Sequence, residues 1–149
     1  MHNIKYRGKK RLAYDMGYHF ANLLPEVFLE SFDIAIPIPL YWTRKLSRGY
    51  NQAEYFGRGI LDGAGSRVSL HADIVKRVRS TGTQTKLDKT SRKQNMSDAF
   101  KIVTTELLKG KHVLLFDDVV TTGATVNACS RALLAHGCAS VKVCALARD

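Results

Sequence analysis

Between Lys10 and Glu30 apolar residues recur every three or four positions: Leu12, Met16, Phe20, Leu23, Leu24, Val27 and Phe28. That spacing predicts a helix with one buried stripe. Pro25 kinks or splits it, because proline removes an amide donor and its ring clashes with the preceding turn. Asp33–Pro39 (DIAIPIP) is a short apolar run with two prolines. Residues before proline are held extended, so the run reads as a strand that stiffens into a loop. Asn51–Leu61 returns to helical spacing through Ala53, Phe56, Ile60 and Leu61, with Gly63-Ala64-Gly65 as its stop. Ala72–Val78 reads as a strand. Arg79–Asp98 is long, polar and basic, and such stretches inside a compact domain are functional or disordered. Ala99–Val103 reads as a short strand at an edge. His112–Phe116 (HVLLF) is a continuous apolar run, the pattern of a buried parallel strand. Thr122–His136 reads as a helix with Ala124, Ala128, Ala132 and Leu133 on one face and Gly137 as its stop. Ser140–Leu146 is the last strand.

Strands alternating with helices predict an α/β fold with a mainly parallel central sheet flanked by helices. A chain of 149 residues holds one such domain. In these sheets ligands sit beyond the C-terminal ends of strands, near a switch in strand order. The loops after Pro39, Val78 and Phe116 are therefore the places to search.

Charge narrows the partners. The chain carries 23 basic and 13 acidic residues, a net charge of +10, which favours anionic ligands such as phosphates or nucleic acid. Met1–Arg11 holds Lys5, Arg7, Lys9, Lys10 and Arg11 with no acid, and Lys76–Asn95 sets seven basic residues against Asp88 alone. A solvated basic face explains these runs as well as a binding surface does. No stretch approaches the roughly 18–20 apolar residues that cross a bilayer. The basic start has no apolar segment after it, so a secretion signal is not expected and a cytoplasmic location is. Cys129, Cys138 and Cys144 form no CxxC pair and read as buried thiols of a reducing compartment. The five histidines show no metal-ligand spacing.

The most informative stretch is Val113-Leu-Leu-Phe-Asp-Asp-Val-Val-Thr-Thr-Gly-Ala-Thr125. Asp117 and Asp118 stand at the end of an apolar strand. Two adjacent like charges need cations or hydrogen-bond donors to offset them. The hydroxyls of a ribose diol are such donors, and Mg²⁺ on a pyrophosphate is such a cation. Thr121, Thr122, Gly123, Ala124 and Thr125 then form a small-residue turn into a helix, where amides and hydroxyls cradle a phosphate. One element thus offers acceptors for a diol and, close by, donors for a phosphate, as ribose 5-phosphate requires. A capped helix start beside a solvated acidic pair is the plain alternative. The segment is neither a Walker A loop nor a GxGxxG fingerprint.

This segment resembles the 5-phosphoribosyl-1-pyrophosphate (PRPP) signature of type I phosphoribosyltransferases. Together with Tyr6-Arg-Gly-Lys9, Ile36-Pro-Ile-Pro-Leu40, Arg48-Gly-Tyr-Asn-Gln52, Gln84 and Arg92 with Asn95, it resembles the ComF/GntX family over nearly the whole chain. The resemblance implies a type I phosphoribosyltransferase-like fold, with residues 1–32 as a small N-terminal helical hood, 33–149 as the core, and a flexible basic loop. Many members begin with a cysteine-rich, zinc-ribbon-like segment, and this chain is expected to start after where that segment would lie. The resemblance also implies PRPP as ligand with Mg²⁺ carried on it, and a link to DNA uptake or gluconate use. Asp117 and Asp118 would contact the ribose hydroxyls, and Thr121–Thr125 the 5-phosphate.

Around this motif the remaining residues take expected roles. In type I phosphoribosyltransferases the loop after the first core strand holds pyrophosphate, which suits Arg44 and Lys45. Trp42 covers the site or fills the core. Arg48 is a ligand candidate, while Asn51 reads equally well as a helix N-cap. Gln84, Lys86, Arg92 and Asn95 belong to the basic loop that closes over PRPP in related enzymes, with Gln84 and Arg92 the candidates nearest to catalysis. That loop would otherwise be a solvated segment or a grip on single-stranded DNA, although it supplies no aromatic platform for bases. Some purine-using relatives place a general-base aspartate where Thr121 stands. Threonine does not take that role at neutral pH, and the acceptor stays open. Three readings follow: a PRPP-dependent transferase, a PRPP or nucleotide sensor without catalysis, and a DNA-uptake accessory that meets single-stranded DNA or a helicase partner.

Overall fold

The computed structural model describes residues 2–25, 27–41, 43, 46–47, 49–78 and 99–148. Four strands carry the apolar runs: β1 (Ile34–Pro37), β2 (Ser69–Leu70), β5 (His112–Val120) and β6 (Ser140–Arg148). They form one parallel sheet in the order β2-β1-β5-β6. β1 and β5 lie at its centre, with Ile34 opposite Val113 and Pro37 opposite Phe116. Central parallel strands are covered on both faces, which is why these two runs are apolar throughout instead of alternating. Between β2 and β5 in the chain, β3 (Val75–Arg77) and β4 (Phe100–Ile102) pair antiparallel as a separate ribbon.

Pro37 is tolerated in a central strand because of where its missing amide falls. Ile38 donates its N–H to the Phe116 carbonyl at 2.8 Å, while the Ala35 carbonyl accepts from His71 on the β2 side. Parallel pairing alternates sides along a strand, so the Pro37 nitrogen faces β2, which has ended at Leu70. The ladder to β5 is kept past Pro37.

The same alternation divides the core. Val113 and Leu115 join Ile34, Ile36, Val126, Cys129 and Leu133 on one face, beneath the helix α3 (Ala124–Ala135) and the β3–β4 ribbon. Here α1 is His2–Phe20 and α2 is Gln52–Gly63. Leu114 and Phe116 join Phe56, Ile60, Leu29 and Phe32 on the other face, beneath α2. α1 packs against α2. Among the described residues no helix is long and apolar enough to cross a membrane.

The N-terminal helix departs from its expected range of Lys10–Glu30. α1 stops at Phe20. A 3-10 turn, Ala21–Leu23, follows and ends at Leu24, which the next residue, Pro25, holds extended (φ −82°, ψ 144°). A second 3-10 turn at Leu29–Ser31 leads into β1. Nor is the apolar stripe the buried face. Leu12, Met16, Leu23 and Val27 are 59%, 40%, 76% and 68% exposed, while Phe20, Leu24 and Phe28 pack on the core.

Backbone proximity explains the difference. Gly17 of α1 lies against the Phe56 carbonyl, and Gly59 and Gly63 of α2 lie against the carbonyls of Tyr14 and Tyr18. A Cβ at any of the three would overlap backbone, so glycine is required there. Gly57 does the same for the sheet, admitting the Phe116 ring. The Tyr14 hydroxyl fastens the helix pair by donating to Asp62 at 2.7 Å.

Other boundaries shift modestly. β2 had no counterpart among the expected strands, and β3 is shorter than Ala72–Val78. β4 joins the ribbon and not the main sheet. β5 continues past Phe116 to Val120, α3 begins at Ala124 instead of Thr122, and β6 reaches Arg148.

Replacing Gly59 by alanine should destabilise the fold by roughly 2–3 kcal/mol through overpacking, although alanine is the better helix former. Leu12→Ala on the exposed face should stay within about 0.5 kcal/mol. Urea denaturation of both variants checks the contrast.

Candidate functional site

Strand order locates the site. From β1 the chain moves to β2 on one side and later returns to β5 on the other, making β1/β5 the switch point of the sheet. Loops leaving two such strands part from one another and open a crevice at the C-terminal rim. Ile38 and Phe116 remain hydrogen-bonded there, so the chain leaves β1 at Pro39 beside Asp117, while β5 runs on against β6 to Val120.

The two carboxylates occupy different environments. Strand alternation points Asp117 and Asp118 to opposite faces of β5. Asp117 is 8% exposed, whereas Asp118 is half-buried. The Asp118 N–H donates to Asp117 Oδ1 at 2.9 Å, and the Val119 N–H to Asp118 Oδ1 at 2.9 Å. Burial pushes the Asp117 carboxyl up to about 7, and the charge on Asp118 adds to this; the backbone N–H of Asp118 and the charge of Arg77 oppose it. Burial, reinforced by the charge of Asp117, pushes the neighbouring Cys129 thiol up to about 12. Such a thiol stays protonated and inert.

Arg77 belongs to this group, although the sequence marks it only as one member of a basic run. On β3 the buried Val75 and the half-buried Arg77 flank the exposed Lys76. Its guanidinium lies 5.6 Å from the centroid of the Phe100 ring, a cation–π contact. Its charge lowers the pKa of both Asp117 and Cys129. The alternation Val-Lys-Arg was the available signal, since period two puts Arg77 on the inward side.

Beyond β5 the chain turns into α3. Thr121 and Thr122 are exposed. Gly123 adopts the left-handed conformation (φ +73°) and stands at the N-cap with no side chain to close the helix. Thr122 Oγ1 accepts from the Ala124 N–H at 3.4 Å, and Thr125 lies half-buried in the first turn. A helix start whose N-cap residue has no side chain, with the Thr122 hydroxyl on the first amide, favours an anion through its amides and dipole. A cavity of about 440 Å³ adjoins the turn, lined by Val120–Gly123 and Asn127 on one side and by Val143 and Ala145–Arg148 of β6 on the other.

Asn51 is the expected N-cap of α2: its Oδ1 accepts from the Ala53 N–H at 3.2 Å. Its Nδ2 also donates to the Ile38 carbonyl at 3.0 Å. Tyr50 before it is buried, with the Lys10 ammonium 5.7 Å from the Tyr50 ring and 5.7 Å from the Tyr55 ring. At the ribbon, the Val78 N–H donates to the Ala99 carbonyl at 2.9 Å. The residues flanking segment 79–98 are thereby held together, one step from Arg77. Gln84, Lys86, Arg92 and Asn95, together with Trp42, Arg44, Lys45 and Arg48, lie outside the described residues.

A family model described as phosphoribosyl transferase domain matches residues 46–149. The chain belongs to that family. Competence protein F of Haemophilus influenzae is 39% identical over 117 residues, covering 76% of this chain and 49% of that protein. DNA utilization protein YhgH of Salmonella typhi is 31% identical over an alignment of 156 residues, covering 99% of this chain and 65% of that protein. This phosphoribosyl transferase domain is thus ComF-like, and it spans between about half and two thirds of these curated relatives. The solved structure of the allosteric regulatory enzyme of purine biosynthesis shares the fold, with a TM-score of 0.58 and 15% identity over 89% of this chain and 25% of that one.

The position of Asp117 has a pH signature. Its folded pKa lies above the ordinary value of 3.8, so its contribution to stability is full below about pH 4 and is lost as the pH rises through about 7. Asp117→Asn should therefore melt higher than wild type at about pH 8, with the difference shrinking toward about pH 5. Thermal melts across that range test it. A difference that does not change with pH would count against a buried, penalised carboxylate.

Proposed function

We propose that the protein binds PRPP with Mg²⁺ at the β1/β5 rim and transfers its 5-phosphoribosyl group to a nitrogen nucleophile. One observation carries this reading: a single strand–turn–helix carries the buried Asp117, the half-buried Asp118 and then the start of α3 at Gly123. A diol needs acceptors and a phosphate needs donors, and the segment supplies both in that order. Membership of the phosphoribosyl transferase domain family supports it.

In this reading the amides of α3's first turn and the hydroxyls of Thr121, Thr122 and Thr125 hold the 5-phosphate. Asp117 and Asp118 accept from the ribose hydroxyls, and these donors favour the ionised form of Asp117 that burial opposes. Arg44 and Arg48 of the segment after β1, with Gln84 and Arg92 of the 79–98 segment, meet the pyrophosphate. The reaction breaks the bond from C1 to pyrophosphate as the nucleophile attacks, through a transition state with oxocarbenium character. Carboxylates and hydroxyls form an all-oxygen donor set at the rim, which fits Mg²⁺ arriving on the pyrophosphate. When bound, that ion neutralises charge on the leaving group. The nucleophile would approach through the cavity beside the turn, where Arg148 is the charged side chain. Buried, unpaired thiols support a cytoplasmic setting.

A second reading, as a DNA-uptake accessory, draws on the competence and DNA-utilization names of the relatives and on exposed Lys9 and Arg11 of α1. Binding of single-stranded DNA that falls steeply with salt would support it, and it is compatible with the first. Pyrophosphate release with a panel of bases separates a transferase from a sensor.

At about 100 times its dissociation constant, PRPP with Mg²⁺ should stabilise the wild-type chain by roughly 2.7 kcal/mol. The double variant Asp117→Asn, Asp118→Asn should lose that stabilisation while keeping its far-ultraviolet circular dichroism. Thermal shift with and without PRPP is the measurement. Undiminished stabilisation of the variant would remove the acidic pair from the site.

A further inference from the structure

We infer that Asn51 is a positioning residue, which fixes the exit of β1 at the ligand rim through its side-chain amide and does more than cap a helix. This rests on the PRPP-binding reading above. The geometry is specific. Asn51 Oδ1 accepts from Ala53, the capping role. Its Nδ2 reaches back across the intervening segment and donates to the Ile38 carbonyl at 3.0 Å. The Ile38 N–H in turn donates to the Phe116 carbonyl at 2.8 Å, and Phe116 immediately precedes Asp117.

A helix cap needs only an acceptor, and Ser, Thr or Asp would serve. The donor half of the amide is therefore surplus to capping, and it goes to the carbonyl of Ile38, the first residue after β1. One side chain thereby ties the N-terminus of α2, the exit of β1 and, through Ile38, the end of β5 that carries Asp117. Its chain neighbours brace it. Gly49 takes the left-handed conformation (φ +70°), and Tyr50 is buried against Tyr55, their ring centroids 5.9 Å apart. With both halves of the amide engaged, the backbone leaving β1 is held beside the acidic pair before a ligand arrives, the condition for a preorganised anion site.

Asn51→Asp separates the two roles, because a carboxylate keeps the cap acceptor and cannot donate to Ile38. Calorimetry on the full chain at about pH 8, where the new carboxylate is ionised, would use Mg²⁺-pyrophosphate and ribose 5-phosphate as separate probes. N51D should weaken pyrophosphate binding about tenfold and ribose 5-phosphate binding less than about twofold. N51A should show the same selective loss together with a melting temperature lower by about 3 °C, since it also loses the cap. If N51D does not fold, Asn51→Ser keeps a cap, is too short to reach Ile38, and is expected to behave alike. Pyrophosphate affinity within twofold of wild type in the donor-lacking variant overturns the inference, as do equal losses for both probes. Wild-type protein that binds ribose 5-phosphate but not pyrophosphate also overturns it and leaves the phosphate cradle standing. Wild-type protein that binds neither probe overturns the PRPP reading itself.

Discussion

The parallel pairing of β1 with β5 is the constraint on which the other features depend. Both strands are buried on both faces, from Ile34 to Ile38 and from Val113 to Phe116. Neither tolerates a polar side chain before its C-terminal end. Charge is therefore confined to the strand ends: the Asp33–Lys111 ion pair at the N-terminal one, and the acidic pair at the C-terminal one, where the two backbones are still joined by the Ile38–Phe116 hydrogen bond. The switch in strand order parts the connections at that same rim. Exclusion from the centre of the sheet puts charge at the strand ends, and the switch in strand order singles out the C-terminal one.

That placement leaves an electrostatic penalty at the rim. Because β5 continues as a strand through the acidic pair, Asp117 is turned into the interior beside Cys129, and Asp118 is not. Arg77 offsets part of the penalty from the ribbon side. In the free protein the two acids are consequently unequal: one hovers near neutrality and the other is partly solvated. Proteins keep such costly arrangements where a ligand supplies the missing donors, and the open start of α3 next to it is electrostatically complementary, favouring negative charge where the acids favour hydroxyls.

Much of this was legible in the residues. The apolar runs at Asp33–Pro39 and His112–Phe116, the helix after Asn51 and its cap, and the acidic pair followed by a threonine-glycine turn all carry local chemistry that needs no tertiary context. The failures share a cause. Among the described residues of α1, Gly17 makes the closest approach to α2 and Phe20 packs on the core, and a periodicity of large apolar residues cannot register a contact made by lacking a side chain. β2 is two residues long and exists only because β1 is beside it. Val119 and Val120 extend β5, and with it the inequality of the two acids, but two apolar residues are too few to distinguish a strand from a loop. Arg77 acquires its meaning from Asp117 and Phe100, which are distant in sequence.

The hydrogen bond between Val78 and Ala99 has a consequence for how related chains can differ. It pins both roots of the segment between them to a two-stranded stem whose inner side chains, Val75, Phe100 and Ile102, are already part of the core. The stem separates what lies beyond it from folding. Closure entropy grows slowly with chain length, by only about 0.6 kcal/mol for each doubling. Insertions and deletions between those roots therefore leave the scaffold as it is.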